Sequence, residues 1–171
     1  CLSKQTGRSY SSDGTLLCET ETWDVCIYDG GWGGPKPPKD IVEMPDRAPD
    51  AVVEETMPLN MPLIYRLMGD WHQQHIDFAY TEQTGLARPI AHGVSLGGFT
   101  MRHIISSFFP GEPERMKRFK TRITSPVLPG TTLQTRMWKV GDNEIRFQLV
   151  DADADETGAK PHLNFGICEW E

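Results

Sequence analysis

Residues 88–110 read RPIAHGVSLGGFTMRHIISSFFP, and this stretch predicts one long helix. Arg88 and Pro89 restrict the approach, Gly93 stands where the helix starts, and Pro110 with Gly111 ends it. Large apolar residues occur all around the predicted helix: Val94, Leu96, Phe99, Met101, Ile104, Ile105, Phe108 and Phe109. A helix that is apolar on most sides must be covered on most sides. We therefore expect other parts of the chain to wrap around it.

After this helix the hydrophobic period falls to two, which indicates β-strands. Four strand-like runs follow, over residues 117–127, 132–140, 144–151 and 162–170. Pro129-Gly130 and Gly141-Asp142-Asn143 are turn sequences, and the acidic run 151–157 before Gly158 predicts a loop. A long helix followed by an antiparallel meander is an α+β arrangement. We expect a hot-dog fold, in which a curved antiparallel sheet wraps a long central helix.

A second stretch, YRLMGDWHQQHID at residues 65–77, places the carboxylate of Asp70 five residues before the imidazole of His75. On one helix these side chains would lie about 140° apart, so the pair must straddle a helix end. Gly69 is suited to end the preceding helix, and Asp77 is placed to cap a short helix over residues 78–84 that Gly85 closes. The preceding helix carries an apolar stripe of Leu63, Ile64, Leu67 and Met68.

An Asp and a His on facing loop atoms can hold one water molecule and divide the proton transfer between them. Partial burial of Asp70 among Tyr65, Leu67 and Trp71 would raise its basicity. Free amides at the helix N-terminus near Gly93 would stabilise negative charge. From the pair alone a second interpretation stays open, in which Asp70 only caps a turn and His75 is an ordinary polar residue with its hydrogen bonds satisfied.

Five segments together resemble the (R)-specific 2-enoyl-CoA hydratase family, also called MaoC-like or hydratase 2 proteins. They are PDRAPDAVVEETM (45–57), YRLMGD (65–70), HID (75–77), ARPIAHG (87–93) and FKTRITSPVLPGTTLQTRMWK (119–139). The resemblance implies a hot-dog fold, an acyl-CoA thioester substrate and reversible hydration of a trans-2-enoyl chain to a (3R)-hydroxyacyl chain. It also implies that neither a metal nor a redox cofactor takes part.

The resemblance places the family's catalytic Asp on Asp70, its catalytic His on His75, and the backbone N–H that holds the thioester oxygen on Gly93. Asp70 would orient and deprotonate the water, and His75 would deliver or take the other proton. Six further residues are predicted to contact the substrate: Tyr65, Trp71, His72, His92, Arg118 and Lys120. Arg118 and Lys120 would meet the phosphates of CoA, although their alternation with Arg122 equally fits a solvated sheet face.

The sequence departs from the family pattern inside the catalytic turn. The family usually has Asn-Pro-Leu or Asn-Pro-Ile before the His, whereas this chain has His72, Gln73 and Gln74. This replacement removes a hydrogen-bonding side chain and a rigid kink. We expect activity because Asp70 and His75 are present, but on a substrate or in a direction that can differ from the family's usual one.

The resemblance also suggests a division of the chain. Residues 1–34, with a strand-like run over 15–28 and the sequence DGGWGGP from Asp29, resemble the end of a preceding, N-terminal hot-dog repeat. Residues 35–46, rich in proline and charge, would be the linker, and residues 47–171 the catalytic domain. The chain would then hold the C-terminal repeat of a double hot-dog protein. The family implies a homodimer, or a pseudo-dimer with the first repeat.

Composition excludes several classes of partner and site. The net charge of −7 opposes binding to nucleic acid or to an anionic membrane surface, and the sequence has no apolar run long enough to span a membrane. The four cysteines lack a CxxC spacing and fit a reduced compartment. His72 and His75 lack a matching set of ligands, so we expect no metal. A peroxisomal or cytoplasmic location follows from the family only.

Two further functions stay open beside the hydratase. One is a dehydratase of a specialised pathway that acts on an acyl or polyketide thioester, carried by CoA or by a carrier protein. The other is a non-catalytic hot-dog partner that binds acyl groups. Thioester hydrolysis is less favoured, because it does not explain the hydratase spacing of Asp70 and His75.

Overall fold

The computed structural model describes residues 1–26, 29–36 and 42–171, and the chain divides into two units, Cys1–Asp40 and Ile41–Glu171. The first unit is an antiparallel pair of strands, β1 (Leu2–Tyr10) and β2 (Leu16–Val25). Strand β2 confirms the larger part of the predicted strand 15–28, whose residues 27 and 28 lie outside the described residues. Residues 37–41 of the predicted linker also lie outside them.

The second unit contains a five-stranded antiparallel sheet and a 16-residue helix. Its strands are β3 (Ala51–Thr56), β4 (Met116–Ile123), β5 (Thr132–Gly141), β6 (Glu144–Asp151) and β7 (Leu163–Trp170), in the spatial order β3-β5-β6-β7-β4. Its helices are α1 (Met61–Arg66), α2 (Phe78–Gln83), α3 (Gly93–Phe108) and α4 (Ala154–Thr157), with short 3₁₀ turns at Gln73–His75 and Pro113–Arg115.

Helix α3 packs its apolar face on the sheet, which confirms the predicted α+β hot-dog arrangement. Leu96 and Phe99 share one buried cluster with Leu133 of β5, and Ile104 shares a second with Phe147 of β6. A narrow stripe of α3, at Val94, Gly98, Arg102 and Ser106, faces solvent. Across the described residues, no helix is both long enough and apolar enough to cross a membrane.

Most predicted elements are present, and the differences have local causes. The strand predicted over 117–127 ends at Ile123, because Pro126 has no N–H to donate to a sheet. Strand β3 was not predicted; it pairs with β5 as an edge strand and buries its residues only partly. The acidic loop contains α4, which ends at Gly158 in the left-handed conformation, with φ of 68°.

Helix α1 has the predicted apolar stripe, but the described residues do not cover it. Leu67 and Met68, which follow α1, are 86% and 78% exposed. The helix itself ends at Arg66. Gly69, in the turn that follows, has a positive φ of 111°. The predicted cap of α2 is confirmed, because the Asp77 carboxylate accepts the Tyr80 N–H at 3.1 Å.

Candidate active site

His75 lies in the 3₁₀ turn between α1 and α2 and is buried, with 5% of its surface exposed. Its Nδ1 atom is 2.8 Å from the carbonyl oxygen of Ile90, which can only accept, so Nδ1 carries the hydrogen. Burial is the main cause that lowers the pKa of His75 below its ordinary value of 6.5. The ring is therefore neutral at pH 7, with a lone pair on Nε2. The side chain of Gln74 donates to this Nε2 at 3.2 Å.

The His75 ring packs on the His92 ring, which in turn packs on the Tyr65 ring. The His92 ring stacks on the His75 ring with 3.6 Å between centroids, and the Tyr65 ring packs on the His92 ring at 4.6 Å. His92 is fully buried and its Nε2 donates to the main-chain carbonyl of Asp70 at 3.3 Å. His92 thus connects the two halves of the Asp70 to His75 turn. Tyr65 and His92, predicted to contact substrate, pack behind the pair of Asp70 and His75.

The carboxylate of Asp70 stands close to both imidazoles. One carboxylate oxygen of Asp70 and one ring nitrogen each of His75 and His92 lie within 4.8 Å of one another. A water molecule with two hydrogen bonds of about 2.8 Å can bridge such a gap between Asp70 and His75. Asp70 lacks the partial burial predicted from its neighbours: its side chain is 46% exposed, and Trp71 and Leu67 are exposed to solvent.

Asp70, His75 and Gly93 line one cavity of about 540 Å³. Gly93 is the first residue of α3, so its N–H belongs to the turn of free amides at the helix N-terminus. A Cβ at this position would lie 2.6 Å from Cδ1 of Ile123, so only glycine fits without moving that side chain. The rest of the lining is largely apolar: Leu86, Ile90, Ala91, Val94, Leu96, Ile123, Pro126 and Val127.

None of the six predicted substrate contacts lines this cavity; besides Tyr65 and His92, this holds for Trp71, His72, Arg118 and Lys120. His72 caps the 3₁₀ turn, because its Nδ1 accepts the Gln74 N–H at 3.3 Å. Trp71 is 70% exposed, and the Arg66 guanidinium lies over its ring. Arg118 forms an ion pair with Glu169 at 2.8 Å, and Lys120 lies two residues further along the same strand, half-buried and opposite Ile167.

Three polar residues of the cavity were not predicted from the sequence: Gln74, Thr124 and Ser125. Gln74 was noted only as a departure from the family pattern, although its position next to His75 placed it close to the ring. Ser125 precedes Pro126 in a segment that was predicted as strand. The proline was the available signal that this segment leaves the sheet.

The cluster of Asp70, His75 and His92 is also the set that could hold a metal ion in the described part of the chain. Its geometry suits proton transfer better. The two imidazoles are stacked with only 25° between their planes, so their in-plane lone pairs run side by side and do not converge on one point. In addition, His92 already uses its Nε2 hydrogen on the Asp70 carbonyl.

The chain is similar to several characterised proteins. Residues 40–159 match the family model described as MaoC like domain. The chain is 40% identical over 143 residues to peroxisomal multifunctional enzyme type 2 of Mus musculus, which covers 81% of this chain and 19% of that protein. It is 38% identical over 122 residues to probable enoyl-CoA hydratase 2 of Dictyostelium discoideum, covering 70% of this chain and 42% of that protein.

A solved structure, a MaoC-like dehydratase from Phytophthora capsici, superposes with a TM-score of 0.86 and 28% identity. The superposition covers 99% of this chain and 56% of that one. The chain therefore spans roughly a fifth to a little over half of the length of these relatives. Because the family model matches 120 of the 171 residues, counted from 40 to 159, the chain belongs to the family of MaoC-like domains.

Proposed function

We propose that this chain is a hydro-lyase that reversibly hydrates a trans-2-enoyl-CoA to a (3R)-hydroxyacyl-CoA. The observation that carries the proposal is the meeting of Asp70, His75 and the first amides of α3 around one largely apolar cavity. The name of the Dictyostelium relative, probable enoyl-CoA hydratase 2, supports the same activity. The reaction consumes only water and the thioester, so the proposal includes no cofactor and no metal.

The tautomer of His75 assigns the direction of the hydrogen bonds to the catalytic water. Nε2 carries no hydrogen, so once the Gln74 amide is displaced His75 accepts one O–H of this water while the Asp70 carboxylate accepts the other. The oxygen of that water then attacks the β carbon, and the proton that one of the two groups has taken returns to the α carbon. Negative charge passes through the thioester oxygen, which the Gly93 N–H would hold. An amide already oriented at such an oxygen contributes about 3 kcal/mol to lowering the barrier.

The division of the chain and its partners belong to the same proposal. We assign residues 1–34 to the end of a preceding hot-dog repeat, 35–46 to the linker and 47–171 to the catalytic domain. The partial coverage of the relatives supports this, because the chain spans 42% of the Dictyostelium protein and 56% of the Phytophthora chain. The partner of the catalytic domain is then another hot-dog repeat, either in a homodimer or in a pseudo-dimer. The name of the mouse relative supports a peroxisomal location over a cytoplasmic one.

One observation favours the dehydratase direction as a second candidate. Gln74 donates to the nitrogen of His75 that the catalytic water must use, so this turn does not offer the water a vacant acceptor. Such a turn can favour a hydroxyacyl substrate, whose own hydroxyl displaces the Gln74 contact. The same residues would then remove water from an acyl or polyketide thioester, on CoA or on a carrier protein. A non-catalytic acyl-binding role leaves the Asp70 and His75 geometry unexplained.

The test is the loss of enoyl absorbance with crotonyl-CoA and longer 2-enoyl-CoA thioesters. We expect Asp70→Asn to lower kcat by about 100-fold or more, as loss of a general base does. Asp142→Asn, in the exposed turn between β5 and β6, is the matched control and should retain the wild-type rate. Equal background rates for the wild type and Asp70→Asn with every thioester, in both directions, would refute the enzyme proposal.

A further inference from the structure

A Ser-His-Asp chain of hydrogen bonds stands beside the catalytic pair, and the proposed hydration does not use it. Ser125 Oγ is 2.8 Å from Nδ1 of His162, and Nε2 of His162 is 2.8 Å from a carboxylate oxygen of Asp151. Ser125 lines the same cavity as Asp70, His75 and Gly93. The three residues are far apart in the sequence, so their meeting is a product of the fold.

The sheet holds these three residues in place. Asp151 ends β6, His162 directly precedes β7, and Ser125 lies two residues after β4. The main-chain N–H of His162 donates to Leu149 at 2.8 Å, and the carbonyl of His162 accepts the Thr124 N–H at 2.8 Å. The main chain of His162 is therefore fixed on both sides. His162 is only 7% exposed, whereas Ser125 lines the cavity. Ser125 is therefore more accessible from the cavity than His162.

The hydrogen bonds also define the role of each group. The Asp151 carboxylate can only accept, so it holds a hydrogen on Nε2 of His162. Nδ1 then bears a lone pair and accepts the Ser125 O–H. The carbonyl of Pro161, 3.0 Å from Ser125 Oγ, is the competing acceptor for this hydrogen. A nucleophile within hydrogen-bond reach of a base that a third group orients is the arrangement of covalent acyl transfer.

We propose that Ser125 is a nucleophile that accepts acyl groups from thioesters, and that His162 and Asp151 activate it. The chain would thus have a second, slower activity, thioester hydrolysis, in the cavity where hydration takes place. This inference depends on the proposed function only for its substrate class, the acyl thioester. The spacing of Asp70 and His75 did not support thioester hydrolysis, which is here assigned to different residues.

The reaction balances with water as its only co-reactant. Ser125 Oγ bonds to the thioester carbon while its proton passes to Nδ1 of His162, and the Asp151 carboxylate stabilises the imidazolium. The carbon–sulfur bond breaks, and the thiolate takes that proton and leaves as a thiol. Water then attacks the acyl-serine, His162 takes its proton and returns it to Ser125 Oγ, and a carboxylic acid is released.

The first experiment measures the nucleophile directly with a fluorophosphonate probe. We expect the probe to label the wild type on the peptide that contains Ser125, as located by mass spectrometry. Labelling should fall at least tenfold in Ser125→Ala and in His162→Gln, and remain at the wild-type level in Ser106→Ala, an exposed serine near the other end of α3. Circular dichroism of each variant separates loss of labelling from loss of folding.

The second experiment uses a saturated acyl-CoA, which has no double bond to hydrate. Release of CoA thiol, with the chain's four cysteines subtracted as background, should be abolished by Ser125→Ala and lowered about 100-fold by His162→Gln, while the exposed-turn control Asp142→Asn releases thiol at the wild-type rate. Failure to hydrate enoyl-CoA would refute the proposed function alone. Labelling that maps away from Ser125, or thiol release that Ser125→Ala leaves unchanged, would overturn the present inference.

Discussion

The position of one hydrogen on His75 decides what the proposed site can do at a given pH. The Ile90 carbonyl accepts the Nδ1 hydrogen, and burial lowers the pKa of His75 below its ordinary value of 6.5. We expect kcat/KM for hydration to decline on the acid side with an apparent pKa below 6.5, measured from about pH 4.5 to about pH 8. An acid limb centred above pH 6.5 would contradict a neutral, desolvated His75.

Gln74 is a departure from the family pattern that affects His75 directly. Its side-chain amide occupies Nε2 of His75, so the catalytic water must displace it. A competing hydrogen bond is worth about 1 kcal/mol, and we therefore expect Gln74→Leu to raise kcat for hydration about fivefold. Gln73→Leu, the exposed neighbour in the same turn, is the control and should change kcat little. A decrease in kcat for Gln74→Leu would mean that Gln74 binds the substrate.

At the scale of the elements, close packing between β6 and β7 makes a specific stability prediction. Gly166 lies opposite Phe147, and a Cβ on Gly166 would lie 2.6 Å from Cε2 of the fully buried Phe147 ring. We expect Gly166→Ala to lower the free energy of unfolding by about 1–3 kcal/mol, measured by urea denaturation. Gly141→Ala is the matched control, because its Cβ would make only an ordinary contact of 3.6 Å with Glu144.

The elements also show which features could be predicted from the sequence and which could not. Helix α3 and strands β5 and β6 carry their periodicity locally, so their limits were predicted almost to the residue. The Asp70 to His75 turn was found because its residues are close in sequence. The chain of Ser125, His162 and Asp151 could not be found in this way, since the pairing of β4 with β7 and β6 with β7 brings it together. The exposure of Leu67 depends on whether another surface packs against α1, and the local sequence pattern does not show this.

For the whole molecule, two buried histidines contribute to the response of stability to acid. Burial is the main cause that lowers the pKa of both His75 and His103 below 6.5, so the unfolded chain binds protons at these sites more readily than the folded chain. Stability from both is therefore complete above pH 6.5 and is lost as the pH falls below it. We expect the urea midpoint to decrease from pH 7 to about pH 5, and His103→Gln to reduce that decrease. A midpoint that is constant over this range would contradict the burial of both rings.

The exposed apolar surface next to the proposed site indicates that this chain associates with a partner. Leu63, Leu67, Met68 and Trp71, on α1 and the turn after it, are all more than half exposed. Soluble proteins seldom leave so many large apolar side chains together in water, and such surfaces are usually interfaces. Because the proposed partner is another hot-dog repeat, we expect this chain to form a dimer with a second copy through this surface.

Sedimentation velocity across a range of concentrations measures that association. The double variant Leu67→Glu, Met68→Glu should shift the chain to the monomer, because it would place charges in an apolar contact. Val140→Glu, at the far end of β5, changes an exposed apolar residue outside the surface and should leave the dimer intact. If the wild type and the double variant sediment alike as monomers, this surface is not a self-association site, and the covering repeat must come from elsewhere in a longer chain.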